Sequence, residues 1–307
     1  MKLEGIHHIT AITADAARNV DFYARVLGLR LVKKSVNQDD PTVYHLFYAD
    51  EQGSSGSDLT FFDYPGLPAG RAGDGMVRSV VWRVGSDAAL DFWLERLAGE
   101  GIEARRENGG VAFCDPEGLE HELVVVDVPD EPLLAEHPEV PPDVALQGFH
   151  AVRAYLSRPD ASRELLAEGL AFEEVAGGWE ARGERRGGIY LVEEPPEERA
   201  RPGAGTIHHV AWSTGMDDHE EWGRRARAAG ASPTPVIDRF YFRSIYFREP
   251  SGVLFELATR GPGFTVDEPA ESLGEKVALP PFLEHRRAEI EARLTPLPNP
   301  RGARARG

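Results

Sequence analysis

The sequence predicts an α+β fold in which one unit, a strand followed by a helix and several more strands, is passed through four times. Two correspondences predict it. Ile6-His7-His8-Ile9 lines up with Ile207-His208-His209-Val210, and each tetrapeptide opens a unit. Asp115-Pro116-Glu117-Gly118 followed by Glu122-Leu123 lines up, at the same offsets, with Glu249-Pro250-Ser251-Gly252 followed by Glu256-Leu257. A Pro–Gly turn before a strand is common by itself. Both correspondences in one chain mark a repeat.

The first unit covers residues 3–66. Its helix starts at Asp15 as N-cap, carries Val20, Tyr23 and Leu27 on one face, and stops at Gly28. Strand-like runs follow at 29–36, 43–49 and 59–62. The second unit, 76–127, places a strand at 77–84, a helix at 88–97 after Ser86, and strands at 111–114 and 120–126. An acidic, proline-rich stretch, 128–145, reads as a linker. The third unit, 146–194, opens at Gly148-Phe149-His150-Ala151-Val152 and has its helix at 161–168, ended by Gly169. The fourth, 205–260, has its helix at about 219–229, ended by Gly230. The tail, 261–307, predicts a helix from Pro281 through Leu283, Ile290 and Leu294, and a frayed end from Arg301.

Composition narrows the function. With 307 residues, 41% apolar and 28% charged, the chain has the profile of a soluble globular protein with a sizeable core. The net charge of −17 repels phosphate backbones, so no nucleic-acid partner is expected. No run of 18 apolar residues exists, so no membrane helix is expected. Met1-Lys2-Leu3-Glu4-Gly5 leads straight into a strand, which makes a cytoplasmic location the default expectation. The single cysteine, Cys114, allows neither an internal disulfide nor a cysteine-rich zinc site. Any metal must therefore sit on His, Asp and Glu.

The histidine pairs lie on the first strands of units one and four. Side chains alternate faces along a strand, so one member of each pair is a candidate ligand and the other faces away. Glu256, on the last strand of unit four, adds a carboxylate. Two imidazoles and a carboxylate with open positions suit non-haem Fe(II) and O2 chemistry. His45, His121, His137, His219 and His285 have no such companions in the sequence and read as core or surface residues.

The segments Gly5-Ile6-His7-His8-Ile9-Thr10, Asp21 to Leu29, Thr206 to Trp212 and Asp238 to Gly252 resemble the vicinal oxygen chelate superfamily, which unites glyoxalases, bleomycin-resistance proteins and extradiol dioxygenases. Within it the chain is similar to four-module ring-cleaving dioxygenases acting on hydroquinones, over residues 3 to 295. The resemblance implies βαβββ modules forming two cupped, barrel-like mixed sheets, with module one facing module four and module two facing module three. It implies that the second histidine of each pair is the ligand, so the metal set is His8, His209 and Glu256. The second cup offers Ser79, His150 and Glu122, has lost a ligand, and is expected to be metal-free. His208, His7, Thr10, Arg239 and Tyr246 are implied in acid–base and hydrogen-bonding roles around the metal, with Arg239 holding developing negative charge. Phe240, Tyr241 and Phe242 offer a pocket for a flat ring, or strand core.

The function implied is insertion of O2 into a small hydroquinone- or catechol-like substrate, with Fe(II) first and Mn(II) second as metal. Triplet O2 and a singlet ring react slowly without a reduced metal that binds both. Two alternatives remain. A glyoxalase-type lyase or isomerase wants a second glutamate, yet Leu59-Thr60-Phe61-Phe62 carries no carboxylate before Asp63. A metal-free small-molecule-binding resistance protein would not need intact ligand positions. A homo-oligomer stays open.

Overall fold

The computed structural model describes residues 1–300. In chain order the strands are β1 (Ile6–Thr13), β2 (Arg30–Val36), β3 (Tyr44–Ala49), β4 (Asp58–Asp63), β5 (Met76–Val84), β6 (Ala104–Glu107), β7 (Gly110–Cys114) and β8 (Glu120–Val125). They continue with β9 (Phe149–Tyr155), β10 (Glu173–Val175), β11 (Gly178–Arg182), β12 (Gly187–Glu193), β13 (Ile207–Thr214), β14 (Ile237–Asp238), β15 (Phe242–Arg248) and β16 (Leu254–Pro262). They form two eight-stranded mixed sheets, ordered β14-β15-β16-β13-β1-β4-β3-β2 and β10-β11-β12-β9-β5-β8-β7-β6. Each sheet joins two units through their first strands, which pair antiparallel at its centre. The first and last units of the chain thus share one sheet.

The central strands are covered on both faces, and every residue of β1 is buried. One face meets the other sheet, where Trp82, Trp93, Trp212 and Trp222 are fully buried. Where the sheets touch, backbone meets backbone: a Cβ on Gly5, which has φ +74°, would lie 2.7 Å from the Gly187 carbonyl. Tyr23 of the first helix donates to Asp115 at 2.9 Å and meets His121 Nε2 at 3.0 Å. Trp82 Nε1 donates to His121 Nδ1 at 3.1 Å, so His121 is a core residue satisfied at both nitrogens.

The central pairings depart from regular alternation, and this corrects the sequence reading. Between Ile6 and His8 the partner strand advances only from Trp212 to Ala211, leaving His7 as an extra residue. Between Thr10 and Ala11 the partner moves from His209 to Ile207, leaving His208 extra. Each is a β-bulge, which re-aims the inserted side chain instead of sending it cleanly to the opposite face. The rings of His7 and His8 lie 5.0 Å apart and those of His208 and His209 5.1 Å apart. In the second sheet Arg78 and His150 take the same inserted places.

Asp15 caps the first helix by accepting from Arg18 N, and Ser86 caps the second, Asp87–Gly99, by accepting from Ala89 N. The third helix is unbroken over 159–169, a tight first turn, Pro159–Ser162, running into a wider one, Leu165–Gly169, with Ala171 rather than Gly169 in the left-handed region. The tail helix, by contrast, is broken into Pro281–Glu284 and Arg287–Glu291, although Leu283, Ile290 and Leu294 are buried. The expected fraying from Arg301 lies outside the described residues. No described helix is long and apolar enough to cross a membrane.

Residues 128–145 hold no helix or strand, yet they are tied down. The buried Asp130 carboxylate pairs with Arg83, accepts from Arg182 at 2.7 Å and accepts from Gly187 N at 3.1 Å. Burial opposes its charge, but these partners bring the Asp130 pKa down to about 2. Asp130→Ala strands a buried arginine and should cost about 3–5 kcal/mol in denaturant unfolding. Because the folded pKa is depressed, the contribution is present above the unfolded value near 4 and is lost as pH falls from about 4 to about 2. Unfolding curves of wild type and variant should therefore converge at low pH.

Candidate metal centre

His8 on β1, His209 on β13 and Glu256 on β16 come together because β13 pairs with both other strands. Thr10 stands opposite His209, His8 opposite Ala211, and Ala211 opposite Glu256. All three side chains are buried. Their ligand atoms form a small triangle: His8 Nε2 to His209 Nε2 3.3 Å, His8 Nε2 to Glu256 Oε2 3.1 Å, and His209 Nε2 to Glu256 Oε2 2.9 Å. Three ligands about 2.1 Å from one ion at right angles stand about 3 Å apart, so the triangle has the dimensions of a facial triad. Glu256 Oε1 is bonded to the Ser244 hydroxyl, whereas Oε2 has no directed hydrogen bond despite the close imidazoles. A buried carboxylate oxygen facing two nitrogens without a directed bond is what lone pairs arranged to converge on a cation look like. The donor set fits a divalent metal.

The inserted histidines explain why the ligands are paired. His8 Nδ1 lies 2.9 Å from His7 Nδ1, and His209 Nδ1 lies 2.8 Å from His208 Nδ1. Of two facing nitrogens one must donate, and a ligand using Nε2 carries its hydrogen on Nδ1. His7 and His208 are therefore acceptors at Nδ1. Burial draws the His7 pKa down to about 3, and partial desolvation at the cavity wall with the neighbouring His209 and Arg248 lowers that of the more exposed His208, so both are neutral at pH 7. His7 Nε2–H then donates to the Thr259 carbonyl at 3.0 Å, closing its inventory away from the cavity. His208 is open at Nε2 and borders the cavity.

That cavity has a volume of about 490 Å³. The expected residues Thr10, Arg239 and Tyr246 line it, and so do Tyr241 and Phe242. Phe242 touches the rings of His7 and His8 at 5.2 and 5.1 Å, while Phe240 does not reach the cavity. Phe240 holds φ +69°, fixed by its N–H donating to Asp238 at 2.8 Å. This strained turn presents Arg239, whose Nε lies 3.3 Å from the Tyr246 hydroxyl. Its other nitrogens grip Asp39 at 3.0 and 3.1 Å, and Gln38 donates to its carbonyl at 2.8 Å. The 37–39 segment and His45 were passed over in the sequence, because neither carries a repeat or spacing signal.

The second cup is further from a metal site than expected. Register places Ala151 at a ligand position and His150 at the inserted place beside it, so two ligands are lost and not one. Glu122 keeps its place but accepts from Ser79 at 3.1 Å and Arg153 at 2.7 Å. The guanidinium supplies the positive charge that the first cup lacks.

Asp58 stands beside His8 across β1 and β4, buried, with neither carboxylate oxygen hydrogen-bonded. Burial pushes its pKa up to about 8. A raised carboxyl pKa means that stability falls as pH rises from the unfolded value near 4 to about 8. In metal-free protein, Asp58→Asn should raise the melting temperature by several degrees at pH 8 and leave it unchanged at pH 4.

A family model described as the glyoxalase/bleomycin resistance protein/dioxygenase superfamily matches residues 5–123 and 148–257. MhqA of Bacillus subtilis, named as a ring-cleaving dioxygenase, is 41% identical over 97% of this chain and its own full length. The chlorohydroquinone/hydroquinone 1,2-dioxygenase of Sphingobium indicum is 32% identical over 94% of this chain and 95% of its own. A crystal structure of a Bacillus subtilis protein described as a dioxygenase superimposes with TM-score 0.90 at 40% identity, covering 97% of this chain and 98% of its own. Glyoxalase I of Zea mays shares the fold alone, with TM-score 0.55 at 13% identity over 83% of this chain and 92% of its own. With its two cupped sheets and matched modules, the chain belongs to the glyoxalase/bleomycin resistance protein/dioxygenase superfamily.

Proposed function

We propose that this protein is an Fe(II)-dependent ring-cleaving dioxygenase that opens a hydroquinone- or catechol-like ring, with Mn(II) as the alternative metal. The observation that carries the reading is the triangle of His8, His209 and Glu256 ligand atoms, 2.9–3.3 Å on a side, at the wall of an aromatic-lined cavity. The relatives named ring-cleaving and hydroquinone dioxygenases support it. A bound reduced metal would supply electron transfer between ring and O2 and would acidify a phenolic hydroxyl.

The chain's own residues do the rest. With Nδ1 accepting from His209, neutral His208 carries its hydrogen on Nε2, which is open to the cavity as the proton donor to the substrate. Arg239 and Tyr246 place a cation and a hydroxyl next to each other at the cavity wall, where negative charge develops. Thr10, facing His209 across the central pair, accepts from Thr60 at 2.9 Å and fixes the floor. His7 orients His8 from behind.

One register argument weighs against glyoxalase chemistry. The central pair is pseudo-symmetric, with His8 equivalent to His209 and Thr10 equivalent to Ala211. Glu256 lies opposite Ala211, and the residue opposite Thr10 is Thr60. The place of a fourth protein ligand is held by a threonine.

Metal analysis should find about one ion per chain. His8→Ala, His209→Ala and Glu256→Ala should each lose most of it while melting stays cooperative; two tightly held ions would contradict the account of the second cup. Oxygen uptake with hydroquinone should vanish on peroxide treatment and return with ferrous iron and a reductant. Uptake that survives exhaustive chelation would refute the reading.

The neighbouring histidines should fail differently. His208→Ala should keep near-normal metal content and lose roughly 10²–10⁴-fold in turnover, the usual size of a general acid–base contribution. Normal turnover would remove His208 from the chemistry.

A further inference from the structure

We infer that His45 is a substrate-positioning residue whose Nδ1 accepts the hydrogen of a ring hydroxyl remote from the metal ligands, so that it selects para-diols over vicinal ones. The inference rests on the ring-cleaving reading above and adds to it the residue that measures the substrate.

His45 lies on β3, and β4 separates β3 from β1. His45 stands opposite Phe62, and Phe62 opposite Ile12, so two strand spacings across and two residues along put it about 12 Å from the Thr10 backbone, across the cavity floor. Its ring is clamped between Phe47, at 3.9 Å, and Phe62, at 4.4 Å between centroids. All three line the cavity.

The tautomer follows from a short chain of hydroxyls. Thr60 Oγ1 donates its one hydrogen to Thr10 Oγ1 at 2.9 Å. The contact between Thr60 Oγ1 and His45 Nε2, also 2.9 Å, must then use the hydrogen of His45. Nδ1 is left as a lone-pair acceptor, and burial keeps the imidazole neutral. Among the described residues no hydrogen bond ends on that nitrogen.

Three histidines that face away from the cavity are satisfied at both ends, whereas His150 of the second cup has an unpartnered Nδ1. His7 meets His8 and Thr259, His121 meets Tyr23 and Trp82, and His219 meets Thr214 and Leu257. His45 is satisfied at one end, and its other end belongs to the cavity. A para-diol offers hydroxyls at opposite ends of the ring, so one reaches the metal ligands while the other reaches His45. A vicinal diol offers both on one edge and cannot span the floor.

The test measures binding without oxygen to the metal-loaded enzyme, using hydroquinone, 4-methoxyphenol and catechol. 4-Methoxyphenol keeps the ring and both oxygens but lacks the second hydrogen. Wild type should bind hydroquinone roughly tenfold more tightly than 4-methoxyphenol, the scale of one hydrogen bond to a buried acceptor. His45→Phe and His45→Leu, which lack an acceptor, should bring that ratio close to one and leave catechol affinity unchanged. His45→Asn, which can offer an amide oxygen, should recover most of the ratio. The ratio within each protein cancels general losses of stability, and metal content and melting temperature check each variant. A wild-type ratio near one, or a ratio that the Phe and Leu variants preserve, overturns the role of His45. Oxygen uptake by wild type is measured separately: its absence with every diol would sink the dioxygenase reading, while the binding ratios would still judge His45.

Discussion

The antiparallel pairing of β1 with β13 is the contact on which the site depends. It joins the two ends of the chain, and it carries two one-residue bulges placed symmetrically about its centre. A regular ladder would send His7 and His8 to opposite faces, and likewise His208 and His209. The bulges instead set each inserted histidine against the outer nitrogen of its neighbour, at 2.9 and 2.8 Å. A ligand imidazole needs its second nitrogen held to fix ring orientation and tautomer. Here the chain supplies that holder as the preceding residue. The two Nε2 atoms and the Glu256 oxygen then converge without further adjustment.

The second sheet is a control experiment within the molecule. It has the same strand order, the same central antiparallel pair and the same inserted positions, occupied by Arg78 and His150. Ser79 and Ala151 replace the ligand histidines, and Arg153 pairs with Glu122. A backbone able to build a metal site builds an ion pair when the side chains change. The geometry belongs to the fold and the chemistry to three residues.

Imidazoles dominate the cup, and desolvation keeps them neutral. Neutral imidazole is both donor and acceptor, so each ring's role is set by the bond at its other nitrogen. His7 has both ends engaged and serves orientation. His208 and His45 each keep an end for the cavity, on walls contributed by different modules. The lip is closed by the pairing of Arg239 with Asp39, again across modules one and four.

The four-unit repeat, the paired histidines and the carboxylate of Glu256 were determined by the sequence, because apolar period and turn chemistry are local and the repeat compares the chain with itself. The candidate ligand set was legible too, the repeat supplying the two histidine pairs and the carboxylate and the family resemblance the choice within each pair. Which face each histidine shows was not, since alternation holds only for a regular ladder and the bulges arise from the register of strands about two hundred residues apart. The same distance hid the place of Ala151 in the second cup, the arrival of the 37–39 segment against Arg239, and the position of His45 across the floor. A lone histidine in a strand has no signature of its own. Its neighbours across the sheet, chosen by tertiary pairing, decide which of its nitrogens is satisfied and which is left for a ligand.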